Sequence, residues 1–358
     1  MEFVLDLINK ILNNYLPHMA TTALIHFMPL YLFLKFLHFI FRSLFPENVA
    51  GKVVLITGAS SGIGEHLAYE YAKKGARLVL AARRRKSLEQ VADMAYWFGS
   101  PDVIPVHADV SKVEDCQRLI EEAISKFGRL DHLVTNAAVT PLYMFEDLVD
   151  VTNAAPAMDI NFWGAVYVTH FAIPHLKETK GKIIAITSSA GYLPAARISF
   201  YNCVTMQASK AAVISFFETL RVEIGTQIGI TIVTPGLIES EMTKGKFLTT
   251  EGKLEVDQVM RDVEMSVTPI LPVEKCARSI VKSACRGDNY LTEPPWFKTL
   301  FIYRIFFPEL VEWFQRWFLI PGPGKPATEA PSKILLDVTG LQEYVYPASV
   351  LSPHIKGD

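Results

Sequence analysis

The chain has 358 residues, half of them hydrophobic, and a net charge of −2. That near-neutral balance lacks the basic footprint of a nucleic-acid binder, so no nucleic-acid partner is expected. Four scattered cysteines form no CxxC and no disulfide framework, which points to buried thiols in a reducing, cytosol-facing compartment.

The first 46 residues stand apart. "ALIHFMPLYLFLKFLHFIFRSLF" (23–45) is longer than the roughly 20 apolar residues that cross a hydrocarbon core. It is too long for a secretory signal peptide, and no small-residue cleavage site follows. Pro17 and Pro29 interrupt the segment, and Lys35, His38 and Arg42 form one polar stripe at helical spacing. Two arrangements fit. One is a half-inserted helix or proline-bent hairpin with its basic stripe at the headgroups. The other is a spanning signal anchor whose lysine snorkels. Both make residues 1–46 a lipid or membrane anchor.

From Gly51 onward strands and helices alternate. "KVVLITG", "ARLVLAAR", "VIPVHADV", "LDHLVTNAA", "GKIIAITSS" and "GITIVTPG" read as strands, with amphipathic stretches between them, including long helices near 154–178 and over 208–224. Unbroken apolar strands separated by helices predict an α/β fold, a Rossmann-type doubly wound parallel sheet over 47–290. Ligands of such sheets bind beyond the carboxyl ends of the strands. Residues 238–272 are polar and helix-prone, and are expected to form a flap over the site. The aromatic-rich segment 291–324 reads as a second membrane-facing or dimerising surface, or as a terminal helix packed on the core. The remainder, 325–358, opens with Pro/Gly/Ser composition and is expected to be a loose extension.

"TGASSGIG" (57–64) lies between the first strand and the first helix. Gly58, Gly62 and Gly64 let the backbone approach a pyrophosphate, and Ser60, Ser61 and Ile63 complete the turn at a helix N-terminus that supplies N–H donors. The second strand ends "LAARRR" (80–85). An acid at this point would hold a ribose 2′-OH; arginines instead suit a 2′-phosphate. This predicts NADP(H), with Arg83 as its contact, against the alternative of a solvated charge run. Asp109, at the end of the third strand, is a candidate acceptor for the adenine amino group or a helix-capping turn residue. No metal site is expected.

These motifs, with "NAA" (136–138), Asn161 in "NFWG", "SS" (188–189), "Y…ASK" and "PG" (235–236), resemble the short-chain dehydrogenase/reductase family over roughly 51–290. With the proline-interrupted anchor, the chain looks closest to the plant steroleosins, oil-body proteins similar to 11-beta-hydroxysteroid dehydrogenases. The resemblance implies an NADP-dependent hydroxysteroid dehydrogenase acting on a sterol or steroid-like lipid at a lipid droplet or the endoplasmic reticulum. Dimerisation is expected from the resemblance alone. The resemblance also assigns roles. Ser188 stabilises the substrate oxygen, and Tyr201 is the general acid/base. Lys210 binds the nicotinamide ribose and lowers the tyrosine pKa. Asn161 holds a water of the proton relay. Asn136, Pro235 and Gly236 border the cofactor. Elementary chemistry agrees: a phenol of pKa near ~10 needs a neighbouring cation to act as a base at neutral pH.

Two departures stand out. Ala138 occupies a position where the family has glycine. More seriously, Tyr201 and Lys210 are nine residues apart, because "CVTMQ" (203–207) separates "YN" from "ASKAA". The family spacing is four. On one continuous helix, four residues turn about 40°, whereas nine turn about 180° and rise about 13.5 Å. Productive contact therefore requires 203–207 to leave the helix. Otherwise the residue one turn before Lys210 is Met206, whose thioether has no proton to give. The second function consistent with this insert is a catalytically impaired lipid-droplet surface or sterol- and cofactor-binding protein.

Overall fold

The computed structural model describes residues 1–141, 150–193 and 203–352, with the backbone alone at 203–206. It divides into two units, Met1–Glu47 and Asn48–Asp358.

The first unit is one helix, α1 (Glu2–Leu44), with Pro17 and Pro29 inside it and no buried residue. At 1.5 Å per residue it extends about 64 Å, and it is long and apolar enough to cross a membrane. Of the arrangements the sequence leaves open, the proline-bent hairpin is not what forms. Thr21 and Thr22 donate their hydroxyls to the carbonyls of Pro17 and His18, and the helix runs on through both prolines.

The second unit is built on β1 (Val53–Thr57), α2 (Gly62–Ala72), β2 (Arg77–Ala82), α3 (Arg85–Trp97), β3 (Val103–His107), α4 (Val113–Phe127) and β4 (His132–Thr135). A short helix α5 (Ala155–Met158), a π-helical turn (Asp159–Trp163) and α6 (Gly164–Thr179) follow, then β5 (Lys182–Ile186), α7 (Cys203–Ile224) and β6 (Gly229–Pro235). The flap region carries β7 (Lys246–Leu248), β8 (Leu254–Val256) and α8 (Gln258–Met265), and α9 (Val273–Arg286) leads to β9 (Tyr290–Glu293). Seven strands pair in the order β3-β2-β1-β4-β5-β6-β9, all parallel. The order reverses between β1 and β4, which opens a crevice there. Apolar side chains alternate to the two faces, so Val54 and Ile56 join α2 and α9 in one core, and Val53 and Leu55 join α4, α6 and α7 in the other.

Three elements differ from expectation. The long helical stretch near 154–178 forms, but with a π turn inside it. The flap is a β-hairpin followed by a helix, because β-branched and aromatic residues in "KFL" and "LEV" pair antiparallel. The strand β9 was not anticipated; its four residues are too short and mixed for a periodicity signal.

Beyond β9, α10 (Phe297–Phe306) and α11 (Pro308–Leu319) leave Ile305, Phe306, Phe307, Trp313 and Trp317 exposed. The tail is not loose over its described length. Helices α12 (Pro331–Thr339), α13 (Gln342–Val345) and α14 (Ala348–Leu351) bury Leu336, Tyr346 and Val350 in a third cluster with Met265 and Ile270. Tyr346 Oη donates to Ser266 O at 3.0 Å, and Arg261 Nη1 to Val350 O at 3.0 Å. Apolar residues recurring within the polar composition carry this docking. Truncating Leu336 to alanine therefore costs about 2–5 kcal/mol, read as a lowered urea midpoint; an unchanged midpoint would show that the tail is not part of the cooperative unit.

Candidate active site

Closeness at the end of β1 sets the site. Gly58 (φ +66°) and Gly62 (φ +58°) adopt left-handed backbone. A methyl at Gly64 would lie 2.4 Å from Gly58 O and 2.6 Å from Asn136 Nδ2. With no side chain in the way, the first turn of α2 sits directly on the glycine loop. Ser61, before the helix, is extended. Asn136 at the end of β4 locks this loop: its Nδ2 donates to Thr57 O (3.0 Å) and Gly58 O (3.2 Å), and its backbone N–H donates to Thr57 Oγ1 (3.0 Å). Above lies a cleft of about 1130 Å³ bordered by Gly58, Ser60, Ser61, Gly62, Ile63, Arg83, Asp109 and Asn136. A bare backbone cradle at a helix N-terminus, beside cations, fits a dinucleotide pyrophosphate.

The arginines divide. Arg83 is exposed at the cleft wall. Arg84, the neighbour of the expected contact Arg83, turns into the glycine loop: Nη2 donates to Ser61 Oγ (2.7 Å) and Ser60 Oγ (3.2 Å), and Nη1 to Glu241 Oε1 (2.7 Å). Asp109 borders the cleft, but its Oδ1 accepts from Ser111 N (3.0 Å) and Ser111 Oγ (2.8 Å). That geometry is a local Asx turn; the N-cap position of α4 is Lys112, so Asp109 does not cap the helix. Ala138 carries no backbone strain, since among described non-glycine residues only Lys180 and Ser266 have positive φ.

Behind the cleft a small cavity is bordered by Thr57, Asn136, Asn161 and Lys210. Asn161 lies in the π-helical turn, a local widening that often marks functional positions. It is buried, accepts from Val139 N (2.8 Å), and donates to Val139 O (3.0 Å) and Ser209 Oγ (3.2 Å). Lys210 is buried and donates to Ile186 O at 3.1 Å. Desolvation lowers its pKa to about 8. Ser188, just after β5, accepts from Ala190 N at 3.1 Å through its hydroxyl oxygen, which leaves the O–H proton as a donor. Pro235 ends β6, and Gly236 faces the Phe297 ring, 2.2 Å from where a methyl would sit.

Tyr201 lies outside the described residues. The backbone of 203–207 does not leave the helix: α7 starts at Cys203 and runs 22 residues. Gln207, the last residue of the insert, donates to Leu193 O. Gly191 packs on the same helix, its position allowing 3.2 Å from an added methyl to the Lys210 carbonyl carbon. The lysine end of the motif is thus docked, and the extra residues lengthen the helix at its N-terminal end.

A sequence model of the family described as short chain dehydrogenase matches residues 52–251. The chain is 52% identical over 354 residues to 11-beta-hydroxysteroid dehydrogenase A of Sesamum indicum, covering 99% of this chain and 100% of that protein. It is 50% identical over 354 residues to 11-beta-hydroxysteroid dehydrogenase 1A of Arabidopsis thaliana, with the same coverage. Among solved structures, a short chain dehydrogenase/reductase from Burkholderia phymatum in complex with NAD has a TM-score of 0.64 at 24% identity, covering 74% of this chain and 96% of that one. An alcohol dehydrogenase from Thermococcus sibiricus complexed with 5-hydroxy-NADP has a TM-score of 0.54 at 24% identity, covering 67% and 95%. The structural likenesses speak to the fold, and the full-length relatives to more than the fold: the chain belongs to the short-chain dehydrogenase family and is an oxidoreductase.

Proposed function

We propose that the protein is an NADP(H)-dependent hydroxysteroid dehydrogenase, interconverting a hydroxyl and a ketone on a sterol or steroid-like lipid. The observation that carries this reading is the continuity of two features. A glycine cradle flanked by Arg83 and Arg84, with no acid at the end of β2, shares the wall residues Val110, Asn136 and Ala137 with a small cavity bordered by Lys210 and Asn161. The substrate class follows the names of the full-length relatives. In this reading α1 holds the protein at a lipid-droplet or endoplasmic-reticulum membrane with the catalytic unit facing the cytosol. The exposed aromatics of α10 and α11 supply a second lipid-facing or dimer-forming surface. Arg304 of α10 donates to Tyr192 O at 2.6 Å, which ties that surface to the loop carrying Ser188.

A bound nicotinamide supplies or accepts the hydride at the carbinol carbon. The chain's own residues manage the proton and the oxygen. Ser188 donates its O–H to the substrate oxygen. Tyr201 gives or takes the proton there. Lys210, with a pKa near 8, is charged at neutral pH and stabilises the phenolate. Asn161 holds the loop after β4 through both polar groups of Val139 and reaches Ser209 beside the lysine. Asn136, on the wall of the cleft, would border the cofactor, and the same role is proposed for Pro235 and Gly236.

The continuous α7 supports a second reading. With 203–207 helical, Met206 stands one turn before Lys210, and the form with the insert is an impaired enzyme that keeps its cofactor and lipid surfaces.

Replacing Tyr201 with phenylalanine lowers NADP+-linked hydroxysteroid oxidation by about 100-fold or more; retained activity removes Tyr201 from the role. On the second reading, a variant lacking 203–207 turns over about 100-fold faster than the full chain, and equal rates refute it. Lys210 has a further signature. Its proton leaves the folded state near pH 8 but the unfolded chain only near 10.5. Between those values the unfolded state binds more protons, so stability rises with pH. In urea titrations the advantage of Lys210→Met over wild type therefore shrinks by about 3 kcal/mol across that window. A pH-independent difference would show a solvated ammonium.

A further inference from the structure

Arg84 does more than border the cleft. Its guanidinium bridges two segments far apart in sequence: the glycine loop, through Ser60 and Ser61, and the flap, through Glu241. Both side chains of the Arg84–Glu241 pair are largely buried, at 16% and 17% exposure, so this pair is screened far less than a surface one. Glu241 has a second cation: Lys246 Nζ, on β7, lies 3.1 Å from Oε2. The flap also lies close over the cradle, since a methyl at Gly62 would meet Ser240 Cβ at 3.4 Å.

We infer that Arg84 and Glu241 form a latch operated by the 2′-phosphate of the cofactor: the carboxylate holds the flap to the glycine loop, and a phosphate arriving there takes Arg84 from it. This rests on the NADP(H) reading above. The exchange is favourable on three counts. A phosphate dianion is a stronger partner for a guanidinium fork than a carboxylate is. Lys246 stays with Glu241, so the released carboxylate keeps a counterion. Ser60 and Ser61 continue to orient the guanidinium, so Arg84 need not move to change partners. Glu241 is then a specificity residue that acts through Arg84: it lowers affinity for the phosphorylated cofactor and leaves the unphosphorylated one alone. Linkage requires the converse, that the phosphorylated cofactor loosens the flap.

The test is a set of direct binding titrations on the full-length protein, following NADPH and NADH fluorescence. The expected results are that Glu241→Gln tightens NADPH about fivefold or more and leaves NADH unchanged, and that Arg84→Gln weakens NADPH about tenfold or more while abolishing the gain from Glu241→Gln in the double variant. Thermal melts and NADH affinity show whether each variant is folded. If Arg84→Gln does not fold, Arg84→Lys replaces it, with a partial loss expected. Amide exchange over 240–248 should speed up with NADPH and not with NADH. A wild type without preference for NADPH overturns the cofactor reading and the latch together. A preference that ignores Glu241→Gln, or a Glu241→Gln effect equal for both cofactors, overturns the latch alone.

Discussion

Between Gly64 and the carbonyl of Gly58 there is no room for a single methyl group. That contact brings the first turn of α2 onto the end of β1 and leaves its N–H groups facing the crevice. Thr57 and Asn136 then cross-link the ends of β1 and β4 on either side of the switch point. Without that approach there would be no cradle beside the cations after β2. The parallel sheet brings these groups together, and the missing side chain decides that a ligand fits among them.

At Lys210 burial and the proposed role share one physical cause. Lys210 is placed by α7, which is pressed onto Gly191 and reaches the end of β5 through Ile186 O. The low-dielectric surroundings that lower its pKa also strengthen its field on any neighbouring phenol. Its proton is held less firmly, but its influence reaches further. The five extra residues alter this arrangement at one end only. They leave Asn161 bonded to Ser209 and Lys210 to Ile186 O, and they continue the helix backward from Gln207.

Charge is distributed with similar economy. The chain is nearly neutral overall, yet Arg83, Arg84, Arg85 and Lys86 gather at the cleft, where Glu241 pairs with Arg84. A local excess of positive charge in a walled cleft attracts an anionic ligand without making the whole surface basic. The apolar excess is equally localised, in α1 and on α10–α11.

Much of this is written locally. Strand–glycine–helix punctuation, apolar strands and the run of arginines are short-range patterns, so the sheet, the cradle and the sign of charge beside it were legible along the chain. The residue that turns inward was not. Arg83 and Arg84 are chemically identical, and only the fold, by setting Ser60, Ser61 and Glu241 around the second, separates them. The same holds for the π turn at Asn161, the four-residue strand β9, the docked tail and the helical state of 203–207. Each depends on packing partners distant in sequence: Val139 for Asn161, β6 for β9, Met265 and Ile270 for Leu336, and Leu193 for Gln207. By itself the sequence determined the fold class, the long apolar N-terminal segment and the chemistry available. Tertiary structure decided which copy of each group reaches the site, because a side chain's neighbours across the fold are not encoded in its spacing along the chain.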